Sequence, residues 1–309
     1  MLFDFGFFQI RWYALAYIFG LMGAWQYVRL LLKNDRLWAE KDASKFPREK
    51  TIWRLPLVGT EISVRRFDFP KKIKKQFQVN PPASIDHVDD LLLWAAMGVI
   101  VGGRLGYIAL YAMWQEPLRD YYLSNPLSML AVWQGGMSFH GGLLGVIIAT
   151  LLFSKLNKLD AFRVGDIMAP AVPIGLFFGR LANYINAELW GKVTTVPWGV
   201  IFPNGGPLPR HPSQLYEAGL EGLFLFGLLF VLTYHTRLLQ RPGTFVGIFL
   251  IVYGLSRVLV EFVREQTDVL ISETHWFTIG MGYSMVMVAV GVAFILRANI
   301  LAKKDASPS

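Results

Sequence analysis

Arginines stand in stretches of this sequence too apolar to solvate them. One stretch, PIGLFFGRLANYINAELWG at 173–191, begins like a membrane span and then carries Arg180, Asn183, Asn186 and Glu188 in quick succession. A charge at bilayer depth costs roughly 2.5–3.5 kcal/mol even by lenient insertion scales, so it needs a partner or a ligand. In a helix, Arg180 and Asn183 share one face with Gly179, which leaves room beside them. A second stretch, YGLSRVLVEFVR at 253–264, sets Tyr253, Arg257 and Glu261 at successive four-residue steps, with Arg264 three further on. A third, GGRLGY at 102–107, places Arg104 beside a G-x-x-x-G face. The guanidinium is a planar fork of donors that keeps its charge, which suits a phosphate. Inward arginines on separate spans therefore point to an anion site inside a membrane. The plainer alternatives are an Arg180 ion pair with Glu188 or Asp166, and an Arg257–Glu261 bridge that only locks helices.

The candidate for proton chemistry is His140, in GGMSFHGG at 135–142. Glycines on both sides let a substrate or another helix approach it; the alternative is a helix-packing motif, with Gly141 and Gly145 as its contact face, ending in an interfacial histidine. Ser138 lacks the G-x-S-x-G nucleophile turn. In RHPSQLYE at 210–217, Ser213 is expected to cap a helix with Glu217 in its first turn; the alternative is a direct role toward substrate. The chain has no cysteine, so it offers no disulfide, thiolate metal site or cysteine nucleophile. No H-E-x-x-H, acidic metal cluster or P-loop is present, so no metal and no cofactor is expected, and no nucleic-acid partner.

The elements that must hold these residues are membrane spans. Of 309 residues, 54% are hydrophobic and only 17% charged, below the ~25% of soluble domains. Several apolar runs reach the ~20 residues that cross a bilayer. The fold class is an all-α polytopic membrane protein, a single integral membrane domain over 1–309. About seven transmembrane helices are predicted, over 12–31, 91–113, 139–156, 167–185, 215–234, 244–263 and 277–296. The alternation of a membrane barrel is absent. The opening MLFDFGFFQIRW has no basic n-region and is not a cleavable signal peptide. Lys and Arg concentrate in 34–90, around 155–163, in 235–241 and in the tail, which puts these inside, the N-terminus outside and the C-terminus inside. The basic insert 34–90 includes KKIKK at 71–75, an ordinary cytoplasmic loop or a contact for anionic membrane lipids. The Gly- and Pro-rich 187–214 reads as a small extracytoplasmic cap over the site. No internal repeat is visible, which counts against an inverted-repeat transporter.

In order and content these motifs resemble the prolipoprotein diacylglyceryl transferase family. The resemblance runs through WYALAY at 12–17, GGRLGY at 102–107, WQGGMSFHGG at 133–142, GRLANYINAELWG at 179–191, RHPSQLYE at 210–217 and YGLSRVLVEFVR at 253–264. It implies a multi-pass enzyme of the bacterial inner (cytoplasmic) membrane, N-terminus periplasmic and C-terminus cytoplasmic, with 187–214 a periplasmic cap. It implies transfer of the sn-1,2-diacylglyceryl group of phosphatidylglycerol to the lipobox cysteine of a prolipoprotein signal peptide. The products would be a thioether and glycerol 1-phosphate, the first step of lipoprotein maturation. The family's important positions fall on Tyr13, His140, Arg180, Asn183, Gly191, Tyr253, Arg257 and Glu261, with Glu188 and Arg104 in support. The sequence departs from the pattern with Ala182 and Ala187 for expected glycines, Arg11 for a histidine, Tyr283 for a glutamine, and a longer insert.

Such a reaction needs a thiolate to attack and stabilised charge on the leaving phosphate. Arg180 and Arg257 are assigned to the phosphate, with Asn183 and Tyr253 as further donors. His140 is the first candidate base, since unperturbed histidine and cysteine pKa values are near 6.5 and 8.5; Glu261 or water is the other. The rival from another class is a phospholipid transporter or scramblase that passes headgroups along the same arginines.

Overall fold

The computed structural model describes residues 3–4, 9–10, 12–34, 37–38, 51–54, 61–64, 81–265 and 277–306. The KKIKK run and the Tyr13 side chain lie outside what is described. The body is helical: α1 Trp12–Lys33, α2 Ile85–Leu110, α3 Glu116–Ser124, α4 Phe139–Leu156, α5 Ala161–Met168 and α6 Val172–Ile185. There follow α7 Ser213–Glu217, a π-helical stretch Ala218–Phe224, α8 Leu225–His235, α9 Thr244–Glu261 and α10 Ile279–Ala306. Two short antiparallel pairs, Phe3–Asp4 with Gln9–Ile10 and Thr51–Arg54 with Glu61–Val64, accompany the helices near the N-terminus and in the insert.

Among the described residues, six helices are long and apolar enough to cross a membrane, and a seventh span follows if α5 and α6 count as one, bent by 47°. The sequence reads 167–185 as one uninterrupted span; Pro170 and Pro173 explain the break. Proline lacks the N–H that would continue the ladder and disfavours helical backbone in the residue before it. Elsewhere some helices overrun an expected end, while α2 stops at Leu110 rather than 113 and α9 at Glu261 rather than 263. α2 begins at Ile85 because Ser84 and His87 form a capping box, and α10 continues to Ala306.

Small residues draw the helices together in pairs. On α2 and α4, a Cβ added at Gly102 would sit 2.4 Å from the Gly141 carbonyl oxygen, and one at Gly145 2.1 Å from that of Gly98. Only glycine permits that approach, as expected for G-x-x-x-G faces. α9 meets α10 through Gly247 and Gly291 in the same way, and on α1 a Cβ at Gly20 would stand 3.0 Å from the Gly175 Cα of α6. The apolar core gathers at the end of the bundle where α1 finishes, with Leu31, Ile167, Leu225, Leu229 and Phe245 fully buried. Asp166 is buried there, accepting from the backbone N–H of Gly243 (2.7 Å) and Val246 (2.9 Å). It closes the N-terminus of α9 from another helix, and so is not the partner of Arg180. The outward faces carry large apolar side chains such as Leu93, Met97, Leu144, Ile148, Met285 and Val286. The molecule is a multi-pass membrane protein with its charge inside and its grease outside.

Candidate functional site

The polar residues of α6, the π-helical stretch and α9 converge on one buried cluster. Gly222 lets the π-helical stretch rest on the backbone of α6, where an added Cβ would stand 2.9 Å from the Phe177 Cα. One turn further along α6, Arg180 then meets two carboxylates: Nη1 lies 3.2 Å from Glu217 Oε2 and Nη2 donates to Glu221 Oε2 at 3.1 Å. Glu217 and Glu221 have no solvent-exposed side-chain surface at all. On α9, Arg257 donates to Glu261 Oε2 and lies 3.9 Å from Glu217 Oε1. Just past α9, Arg264 donates to the same Glu217 oxygen at 3.1 Å; burial, and then the nearby Arg257 charge, hold its pKa below the ordinary guanidinium value. Thr278 Oγ1 donates to Glu261 Oε1 at 2.9 Å. Arg180, Arg257 and Arg264 thus balance Glu217, Glu221 and Glu261, with Glu217 at the centre.

The cluster has a cavity on one side. About 770 Å³ of space lies between α1, α2 and α6. Its walls are almost wholly apolar, and at one end they present Arg180, Asn183 and Tyr253. Tyr253 lies one helical turn before Arg257 and stacks on Phe249 with ring centroids 5.8 Å apart. Glu217 and Glu221 hold the Arg180 guanidinium from the side away from the cavity. Two oxygens, Glu217 Oε2 and Glu221 Oε1, are buried with no hydrogen bond of good geometry among the described residues. This arrangement can hold an amphiphile, with the anionic part at Arg180 and the apolar part between the helices.

The other predicted residues are distributed around this centre. Arg104 is buried but turned to a different task. It donates to the carbonyls of Ser128 (2.7 Å), Met129 (2.8 Å) and Gly135 (2.6 Å), so it fastens the 125–136 loop to α2 and does not line the cavity. His140 is exposed in the first turn of α4, next to cavity-lining Phe139 and 5.5 Å between ring centroids from Tyr283 of α10. That contact gives the departure at Tyr283 a place in the structure. Tyr13 lies in α1.

Gly191 pairs with Arg264 as an isolated bridge and donates to the His211 carbonyl at 2.8 Å. A Cβ there would stand 2.5 Å from the Val263 carbonyl oxygen, so its requirement for glycine is one of space. The Glu188 backbone carbonyl accepts from Gln214 Nε2 at 2.6 Å, and Ser213 Oγ donates to the Leu189 carbonyl at 2.9 Å. Ser213 therefore ties 188–191 to α7; the N-cap is Pro212, and the expected serine cap does not form. The 187–214 segment is held by Arg210, which donates to Gly205, Gly191 and the Glu265 carboxylate.

The sequence reading missed Glu221 and placed Glu217 in the first turn of a capped helix, with a role toward substrate as the alternative. The signal was there: two acids four residues apart in the apolar run LYEAGLEGLFLFG demand partners as much as Arg180 does.

Comparison with known proteins places these features in company. The sequence model of a family described as prolipoprotein diacylglyceryl transferase matches residues 62–297. A phosphatidylglycerol–prolipoprotein diacylglyceryl transferase of Brucella anthropi is 43% identical over 300 residues, covering 96% of this chain and 90% of the relative. The one of Brucella canis is 42% identical over 308 residues, covering 99% and 94%. The one of Brucella ovis is 43% identical over 299 residues, covering 96% and 90%.

Proposed function

The chain belongs to the prolipoprotein diacylglyceryl transferase family, and on that premise we propose how its buried charges carry out the transfer. It is a diacylglyceryl transferase with phosphatidylglycerol as lipid donor and prolipoprotein as acceptor. The comparisons lend nothing to a transporter or scramblase.

The lipid occupies the cavity between α1, α2 and α6, with its phosphate at Arg180, Asn183 and Tyr253 and its acyl part between the helices. The observation that carries this is the cavity itself: apolar along its walls, with Arg180 as the charged group at its polar end. The acceptor is the thiol of the lipobox cysteine in the prolipoprotein signal peptide. The thiolate sulfur attacks the diacylglyceryl carbon bonded to the phosphate oxygen. A carbon–sulfur bond forms, the carbon–oxygen bond breaks, and its electron pair leaves on glycerol 1-phosphate. Fixed donors placed where that charge develops are the main catalytic contribution. Arg180 provides them directly, fixed by Glu217 and Glu221. Arg257 adds its charge from the turn after Tyr253, held by Glu261.

The thiol proton goes to His140. Glu261 is the poorer acceptor because Arg257 and Thr278 engage both of its oxygens. His140 stands exposed beside the cavity-lining Phe139, where an acceptor peptide can reach it. Arg104 supports the loop before His140, and Gly191 and Glu188 support the turn after α6. The enzyme sits in the bacterial inner membrane, N-terminus and 187–214 cap periplasmic, 34–90 and C-terminus cytoplasmic. Full-length protein supplied with phosphatidylglycerol and a lipobox peptide tests the assignment. The thioether product is expected, and headgroup movement without a product would refute it.

A further inference from the structure

The cavity runs a defined length along three helices. We propose that Trp25 closes the inner end of an acyl-chain shaft and determines how long a fatty acyl chain the enzyme accepts; this rests on the reading of the cavity as the phosphatidylglycerol site. The lining runs from Ala16 to Val28 on α1, from Val88 to Ile100 on α2 and from Ala171 to Asn183 on α6. At 1.5 Å per residue each of these is about 18 Å, so three helices give the space one common length. Arg180 lies nine residues above Ala171, leaving about 14 Å of apolar shaft below the guanidinium. One leaflet of a bilayer core is about 15 Å deep, so the shaft has the depth of a single acyl chain.

Trp25 lies at the end away from Arg180 and spans the gap between two of the walls. It is carried by α1, and its Nε1 donates to Asp89 Oδ1 of α2 at 2.7 Å. Arg29 grips the same carboxylate at 2.7 and 2.8 Å and lies over the indole, 4.6 Å from the ring centroid. An indole held by a hydrogen bond at its edge and a cation on its face cannot swing aside to admit further methylenes. Higher in the shaft the wall is open by design of sequence: a Cβ at Gly175 would meet nothing within 4 Å. Side-chain volume there shortens the shaft, and lost volume at Trp25 lengthens it.

The test uses full-length protein in lipid nanodiscs, a lipobox peptide, and phosphatidylglycerols with saturated chains from lauroyl to arachidoyl. Trp25→Ala is expected to move the ratio of kcat/KM for arachidoyl over myristoyl donors upward by about ten-fold, since a methylene in a fitted apolar pocket is worth at least that much. Gly175→Leu is expected to move the same ratio downward by a similar factor. These opposite shifts separate a ruler from a structural role, which would lower all donors together. An unchanged ratio in both variants overturns the proposal while leaving the transferase intact. If the unaltered enzyme modified no peptide from any donor, the underlying reading of the site would fall and the ruler with it.

Discussion

At the scale of the residue, the chemistry depends on how one guanidinium is held. Arg180 presents one side to the cavity and the other to Glu217 and Glu221. Lysine in its place offers one point charge and cannot bridge both carboxylates while facing a phosphate. Arg180→Lys is therefore expected to lower kcat/KM by about 100-fold or more, measured as thioether formed on a lipobox peptide, while the protein still inserts. Glu217 touches three guanidiniums. Glu217→Gln would leave them facing two carboxylates, an imbalance worth about 3–5 kcal/mol when a buried pair is broken. A clear fall in Tm in detergent should follow; an unchanged Tm would mean the cluster is not what holds α6, α7 and α9 together. For His140, turnover by His140→Gln should fall across the range from about pH 6 to about pH 9, where a thiol needs a base. Near-normal turnover there would remove it as the obligate base. Arg180, Asn183, Tyr253, Arg257 and Glu261 were legible because charge and amide groups in apolar runs have few innocent explanations. Glu217 was harder to see because a helix start offers an acid an ordinary use, and Glu221 was passed over within the apolar run that follows it.

At the scale of the element, the glycine faces could be read directly: G-x-x-x-G on α2 and α4 predicts close contact, and the two meet through those glycines. Other features depend on tertiary context. The Ala218–Phe224 stretch is π-helical, and its sequence AGLEGLF carries no period that would announce it; such insertions gather at functional sites. The bend between α5 and α6 was written in Pro170 and Pro173, yet apolar length alone argues for one span. Ala187 is instructive. It stands where the family pattern leads one to expect glycine, and its φ is 53°, in the left-handed region that costs a non-glycine residue about 1–2 kcal/mol. Part of that cost is offset by the smaller unfolded-state entropy of alanine. Ala187→Gly should therefore raise stability by roughly 0.5–1 kcal/mol, read as a modest rise in Tm. A fall would mean that the alanine methyl makes a compensating contact.

At the scale of the whole molecule, the design is the reverse of a soluble enzyme: balanced charges at the centre, apolar side chains outward. Composition made this legible, because few charges in a long chain leave no other place for so much apolar surface. Orientation can be tested with unusual economy, since the chain has no cysteine of its own. Thr195→Cys, at an exposed position of the 187–214 segment, should react with an impermeant maleimide in spheroplasts, whereas Lys158→Cys between α4 and α5 should react only after lysis. The reverse pattern would invert the proposed topology and put the polar end of the cavity on the wrong side of the membrane for a secreted precursor. The most direct measurement is a product balance from purified full-length protein, phosphatidylglycerol and a synthetic lipobox peptide. The expected result is diacylglyceryl thioether and glycerol 1-phosphate in equal amounts, both lost together in Arg180→Lys. Glycerol 1-phosphate without thioether, or neither product under conditions where a Brucella relative works, would contradict the account.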